Sequence, residues 1–228
     1  MSISDNIHRV RERIAEAAAR AGRDPGEVGL VCVTKTVDLP EVREAVEAGI
    51  TIVGENRVGE GRRKRESLSG LSVCWHFIGH LQTNKVKQAL EVFDFIHSVD
   101  SLKLAREIGR RADQAGKTMP VLLEVNVSGE EAKFGFSPEA LRGDLDALGE
   151  MEGIRIEGLM TMAPFVADPE EVRPVMVGLR ELAEQIAGEN RPAVSMQRLS
   201  MGMTQDYEVA VEEGATLVRI GSAIFSGM

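Results

Sequence analysis

Apolar residues recur along this chain in two alternating rhythms. Ile3, Ile7, Val10, Ile14, Ala17, Ala18 and Ala21 fall at steps of three and four before Gly22, which is the spacing of one helix face ended by a glycine. Leu30 to Thr34 then runs apolar without alternation, as a parallel strand covered on both faces requires. The rhythms repeat as a helix through Val42, Ala45 and Val46 to Gly49, a strand Thr51 to Val53, a helix from Arg57 to Leu68 and a strand Cys74 to Ile78. Next come a helix Asn84 to Glu91, a strand Phe95 to His97, a helix capped by Asp100 or Ser101 and ending at Gly116, and a strand Val121 to Val127. Ser137-Pro138 opens a helix through Leu141, Leu145 and Leu148, and Ile154 to Leu159 reads as strand. Asp168-Pro169-Glu170-Glu171 starts a long helix that Pro174 is expected to kink, before strand Gln197 to Leu199, helix Gln205 to Glu213 and strand Thr216 to Ile220.

Eight strands alternating with helices after one extra leading helix is the pattern of a single α/β domain over residues 1–228, a (β/α)8 TIM-type barrel. An open doubly wound sheet predicts a glycine fingerprint directly after the first strand. Lys35-Thr36-Val37-Asp38 stands there instead, with no glycine.

Charge and composition narrow the classes. A formal charge of −9 disfavours a binder of nucleic-acid backbones. Arg62-Arg63-Lys64-Arg65 is the one basic run, and on a helix its cations spread around the axis, so a solvated surface is expected. No apolar run approaches a membrane span. Met1-Ser2-Ile3-Ser4-Asp5-Asn6 carries acid where a secretory signal carries base, so the cytosol is the expectation. The chain is also expected to be a monomer. Cys32 and Cys74 lack metal-ligand spacing and read as reduced core residues.

In such a barrel the site lies at the C-terminal ends of the strands, with phosphate commonly held after strands seven and eight. Ser200-Met201-Gly202-Met203-Thr204 and Val218-Arg219-Ile220-Gly221-Ser222 fall there. Glycine lets backbone approach an anion, Ser200 and Ser222 add hydroxyl donors, and a helix beginning near Thr204 would add its positive end. Closure sets the last strand beside the first, which brings Lys35 within one small cofactor of those loops. A lysine in a partly desolvated mouth has its pKa lowered, freeing the amine for imine formation. An amine for an aldehyde, beside loops for a phosphate, points to pyridoxal 5′-phosphate.

Thr34-Lys35-Thr36, Gly54-Glu55-Asn56, Trp75-His76-Phe77-Ile78-Gly79, Leu81-Gln82-Thr83-Asn84-Lys85, Gly158-Leu159-Met160, Ser200-Met201-Gly202-Met203 and Val218-Arg219-Ile220-Gly221-Ser222-Ala223-Ile224-Phe225 resemble the pyridoxal phosphate homeostasis protein family over nearly the whole chain. The resemblance implies a barrel like the N-terminal domain of alanine racemase and Lys35 as the Schiff-base lysine. It further implies Ser200, Gly202, Gly221 and Ser222 at the phosphate and Arg219 facing the pyridine nitrogen. Asn56 and His76 match positions near the cofactor mouth, with buried structural roles equally open. Phe225-Ser226-Gly227-Met228 departs from the family, where a glycine directly follows the phenylalanine.

An arginine at the pyridine nitrogen keeps that nitrogen unprotonated and weakens the ring as an electron sink. Racemases of the related fold add a tyrosine base from a further β-domain of the partner subunit. No such domain is legible here, and Tyr207, the only tyrosine, falls in the helix after the first phosphate loop. The expectation is a non-catalytic cofactor carrier with apo-enzymes as recipients. A racemase or decarboxylase of the same barrel, and a sugar-phosphate isomerase or aldolase using Lys35 on a carbonyl, remain open. Lys133, after the fifth strand, is a candidate second amine for handing the aldehyde on.

Overall fold

Ser2 and Asp5 cap the leading helix α1 (Ile3–Arg20) reciprocally. The Ser2 hydroxyl accepts the N–H of Asp5 at 3.1 Å while the Asp5 carboxylate accepts the N–H of Ser2 at 3.0 Å. Gly22, at φ +66°, turns the chain out of α1 through a conformation that favours glycine. The structure, a computed structural model, describes residues 2–130, 133–189, 191 and 193–226. Met1, Glu131 and Ala132 of the Lys133 segment, and Gly227 and Met228 of the divergent tail, lie outside the described residues.

The strands are β1 (Gly29–Val33), β2 (Ile52–Glu55), β3 (Cys74–Phe77), β4 (Phe95–Val99), β5 (Met119–Glu124), β6 (Ile154–Met160), β7 (Val194–Ser200) and β8 (Leu217–Ile220). They pair in chain order, all parallel, into a closed barrel, as the alternation requires. The helices after α1 are α2 (Leu39–Glu47), α3 (Val58–Ser67), α4 (Val86–Val92), α5 (Leu102–Gln114), α6 (Pro138–Gly149), α7 (Arg173–Gly188), α8 (Tyr207–Glu212) and α9 (Ser222–Phe225). Ser101 and Ser137 cap α5 and α6 by accepting the N–H of Leu104 and of Ala140.

Alternation along the strands divides the apolar core in two. Outward residues such as Cys32, Val53, Trp75 and Leu123 join the apolar faces of the helices in one large cluster. Inward residues Val31, Phe95, Leu122, Met160 and Leu217 form a small plug inside the barrel. Gly54 belongs to that interior, where a Cβ would fall 2.8 Å from Val31 Cγ1.

Four local expectations are corrected. β5 stops at Glu124 rather than Val127: Val125 still donates to the Met160 carbonyl of β6 at 2.8 Å, but its only further strand-like pairing is an isolated bridge to Phe136. Pro174 does not kink a helix. A 3-10 turn occupies Pro169–Val172, and Pro174 lies in the first turn of α7, where its missing N–H has no partner to lose. α8 begins at Tyr207, not near Thr204, and its cap residue Asp206 accepts the N–H of Met203 at 2.6 Å. The basic run is not a uniformly solvated surface. Arg62 and Arg63 pair with Glu91 and Glu60 in the open, while Lys64 is buried at 1% exposure between α3 and the sheet.

Candidate cofactor site

β1 and β8 close the barrel with Val31 opposite Arg219 and Cys32 opposite Ile220. Val33 therefore lies level with Gly221, where a Cβ would fall 3.0 Å from the Val33 carbonyl oxygen. Lys35, two residues further, emerges in the turn after β1 and is exposed. The partly desolvated setting expected for Lys35 is not found: the residue is exposed. Thr34, by contrast, is fully buried: its hydroxyl donates to Glu55 Oε1 at 2.6 Å.

Beneath Thr34 lies a buried ion pair. Lys64 Nζ donates to Glu55 Oε1 at 2.6 Å and to the Thr34 carbonyl at 2.5 Å, tying α3 to the ends of β1 and β2. Glu55 Oε2 is buried without a hydrogen-bond partner among the described residues.

The two glycine loops meet at the mouth. Gly202 has φ +88°, and a Cβ on it would fall 2.5 Å from the Cβ of Ala210, so only glycine fits where the chain leaves β7. Thr204 Oγ1 and Ser222 Oγ face each other at 3.1 Å, one from each loop. Ser200 is placed differently: it has no exposed surface, and its hydroxyl contacts His97 Nδ1 and Arg219 inside the barrel. The hydroxyls presented at the loops are thus those of Thr204 and Ser222.

Arg219 is buried on β8 and donates to the Ser200 and Thr161 carbonyls at 2.8 and 2.9 Å. Burial lowers its pKa to about 10, opposed by Glu124 and Asp206, so it stays cationic at neutral pH. Glu124 is pushed up to about 7, first by burial and then by Asp100. Asn56 follows β2, half-buried, with its backbone pressed so closely by Gly79 that a Cβ there would fall 2.5 Å from the Asn56 carbonyl oxygen. His76 is not at the mouth surface but buried in the interior, stacked on Phe95 at 4.9 Å and 2.8 Å from His97.

Tyr207 is buried, with Arg13 of α1 over its ring at 5.9 Å. Lys133 Nζ is held by Glu130 at 2.6 Å and the Met162 carbonyl at 3.3 Å, which links the loops after β5 and β6. Both cysteines are free, and burial pushes the Cys32 thiol up to about 12. Among the described residues there is no cluster able to hold a metal and no helix long and apolar enough to cross a membrane.

The histidine pair has a measurable consequence. Burial first, and Arg198 second, holds His76 down at about 3, and burial with His76, Arg219 and Arg198 holds His97 well below its ordinary value. The unfolded chain therefore takes up these protons first, below about pH 6.5. Stability is intact above that pH and falls as pH drops towards 3, by roughly tenfold in the folding equilibrium per pH unit per histidine. Glu124 acts oppositely, adding stability as pH falls from about 7 to its unfolded value, so the loss steepens below roughly pH 4.5. Urea unfolding at pH 7, 5.5 and 4 is expected to show His76→Gln less acid-sensitive than the parent. Equal sensitivity in the two proteins would mean that His76 is protonated in the folded state.

The alanine racemase N-terminal domain family matches residues 6–228 of this chain. A pyridoxal phosphate homeostasis protein of Aquifex aeolicus is 44% identical over 225 residues, covering 99% of this chain and 98% of that one. A solved protein of Bifidobacterium adolescentis, described as unknown, superposes with a TM-score of 0.92 at 42% identity, over 98% of this chain and 94% of that one. PipY of Synechococcus elongatus, solved with PLP bound, superposes with a TM-score of 0.82 at 36% identity, over 93% of this chain and 99% of that one. A barrel closed between a Lys35 turn and two glycine loops, matched from end to end at these identities, places this chain in the alanine racemase N-terminal domain family, among the pyridoxal phosphate homeostasis proteins.

Proposed function

We propose that this chain is a single cytosolic unit over residues 1–228 that binds pyridoxal 5′-phosphate at the C-terminal mouth of its barrel. It serves intracellular homeostasis of that cofactor, holding it and passing it to apo-enzymes without turning over a substrate of its own. The observation that carries this reading is the closure of β1 on β8, which sets the Lys35 turn beside the Gly221–Ser222 loop and above the cationic Arg219. The residues fit the group. Gly202 and Gly221 leave backbone open to a phosphate, and Thr204 and Ser222 supply hydroxyls to it. Ser200 supports them from inside through Arg219, which meets the pyridine nitrogen, with Asn56 at the rim and His76 below. When bound, pyridoxal phosphate supplies an aldehyde carbon that a lysine amine engages reversibly.

Two features of the site support carrier over catalyst. Arg219 does not release a proton to the ring near neutral pH, which leaves the pyridine a poor electron sink. Tyr207, turned towards α1, does not stand opposite Lys35 as a second base. The relatives are named for homeostasis rather than for a reaction. A single barrel brings all of these residues together, which supports binding as a monomer.

The test is an absorbance spectrum of the purified protein before and after borohydride, followed by peptide mapping, with the reduced adduct expected on Lys35. Pyridoxal lacking the phosphate is expected to bind far more weakly, since each charge-assisted hydrogen bond to the phosphate is worth roughly 1.5–3 kcal/mol. Affinities within about threefold, which is ~0.65 kcal/mol, would show the loops to be misassigned. A role for Lys133 in handing on the aldehyde predicts that Lys133→Ala slows transfer to an acceptor apo-enzyme at equal cofactor loading. Unchanged kinetics would leave simple dissociation as the route.

A further inference from the structure

Four polar side chains stand in single file inside the barrel. Arg219 Nη1 donates to Ser200 Oγ at 2.6 Å. Ser200 Oγ lies 2.9 Å from His97 Nδ1, and His97 Nε2 lies 2.8 Å from His76 Nδ1. None of the four exceeds 5% exposure.

The chemistry of the four groups fixes the direction of every proton. A guanidinium can only donate, so Ser200 Oγ accepts from it. The hydroxyl has one proton, and among the described residues His97 Nδ1 is the only acceptor within its reach. A buried hydroxyl left without an acceptor is costly, so Ser200 donates to His97. A neutral imidazole accepting on Nδ1 carries its own proton on Nε2, which is the nitrogen aimed at His76. His76 accepts on Nδ1 and keeps its proton on Nε2. Each link then holds one proton, and both rings are neutral, as their burial requires.

The file begins at the arginine that the proposed reading places against the pyridine nitrogen. Three of the five guanidinium N–H groups are taken, two by the Ser200 hydroxyl and carbonyl and one by the Thr161 carbonyl. The remaining two are what Arg219 can offer a ligand. Their aim depends on the Ser200 hydroxyl staying turned towards His97, because a hydroxyl rotated away would set its own proton against the Arg219 donor.

Resting on that reading, we propose that His97 is a positioning residue for the cofactor: through Ser200 it locks the Arg219 guanidinium, in a hydrogen-bond chain that runs one way from Arg219 through Ser200 and His97 to His76. The histidines touch neither substrate nor reacting atoms, and their effect reaches the ligand only through the arginine.

The experiment uses the full chain with 15N-labelled histidine and long-range proton–nitrogen correlation, first without added cofactor. His76 and His97 are both expected as neutral Nε2–H tautomers whose signals stay fixed between pH 8 and 5. Finding His97 protonated on Nδ1, or titrating in that range, overturns the chain. Pyridoxal phosphate is then titrated into the parent, His97→Phe and His97→Asn. The phenylalanine gives Ser200 no acceptor and is expected to weaken binding roughly tenfold, the worth of one buried hydrogen bond to a charged network, and to shift the bound absorbance band. The asparagine, whose Oδ1 replaces Nδ1, is expected to restore most of both. A His97→Phe protein with the parent's affinity and band also overturns the proposal. If the parent itself binds no pyridoxal phosphate, the reading of the site fails separately, while the tautomers still decide the chain.

Discussion

Lys64→Met is expected to lower the unfolding free energy by about 3–5 kcal/mol, the usual cost of breaking a buried ion pair from one side. The loss comes from what is left behind. Glu55 has no exposed surface, one of its oxygens already lacks a partner, and removing Lys64 strands the carboxylate with the Thr34 hydroxyl alone. Lys64→Met combined with Glu55→Gln is expected to recover most of the loss, because the amide oxygen still accepts from Thr34 and no charge remains buried. Urea unfolding with unchanged slope is the measurement. A single-variant loss under about 1 kcal/mol, the range of surface pairs, would mean that water reaches the pair.

Lys35→Ala is expected to abolish the near-visible absorbance of the loaded protein and the borohydride-fixed adduct, with folding stability within about 0.5 kcal/mol of the parent. Lys35 is exposed in a turn, and among the described residues no hydrogen bond of the fold depends on its amine. Loss of function without loss of stability separates a binding group from a structural one. An adduct found on another lysine of the parent would reassign the site.

The barrel was legible because both rhythms of the chain are strong: helices carry their apolar stripe at three- and four-residue steps, and strands covered on both sides run apolar throughout. That the glycine loops and the Lys35 turn lie together was legible for a second reason, since strand order alone puts their segments on one face of a closed barrel. What escaped was polar and buried. Lys64 sits on the inward face of α3 with Gly61 and Leu68, at spacings of three and four, but its three arginine neighbours made it look like one more solvated cation. The signal was there in Glu55, a carboxylate in a covered strand that needs a partner. His97 offered less, because a histidine in an apolar strand says nothing about which strand lies across the barrel. Ser200 was read as a phosphate donor from its loop, whereas the inward phase of β7 turns its hydroxyl to His97 and Arg219. Thr204, in the same loop, presents the hydroxyl instead.

Pairing of the first strand with the eighth also sets when the site can exist. The amine at Lys35 and the loop at Ser222 are 187 residues apart in the chain, and Asn6 of α1 hydrogen-bonds the carbonyl of Ile224 across 218 residues. At roughly 5–20 residues per second, a growing chain carries Lys35 for about 10–40 s before the loop that would complete the proposed site is made. During synthesis the lysine is an ordinary accessible amine without that loop beside it. Cofactor capture therefore belongs to the finished barrel, and a ligand that binds only the closed form draws the slow, long-range pairing of β1 with β8 towards completion by mass action.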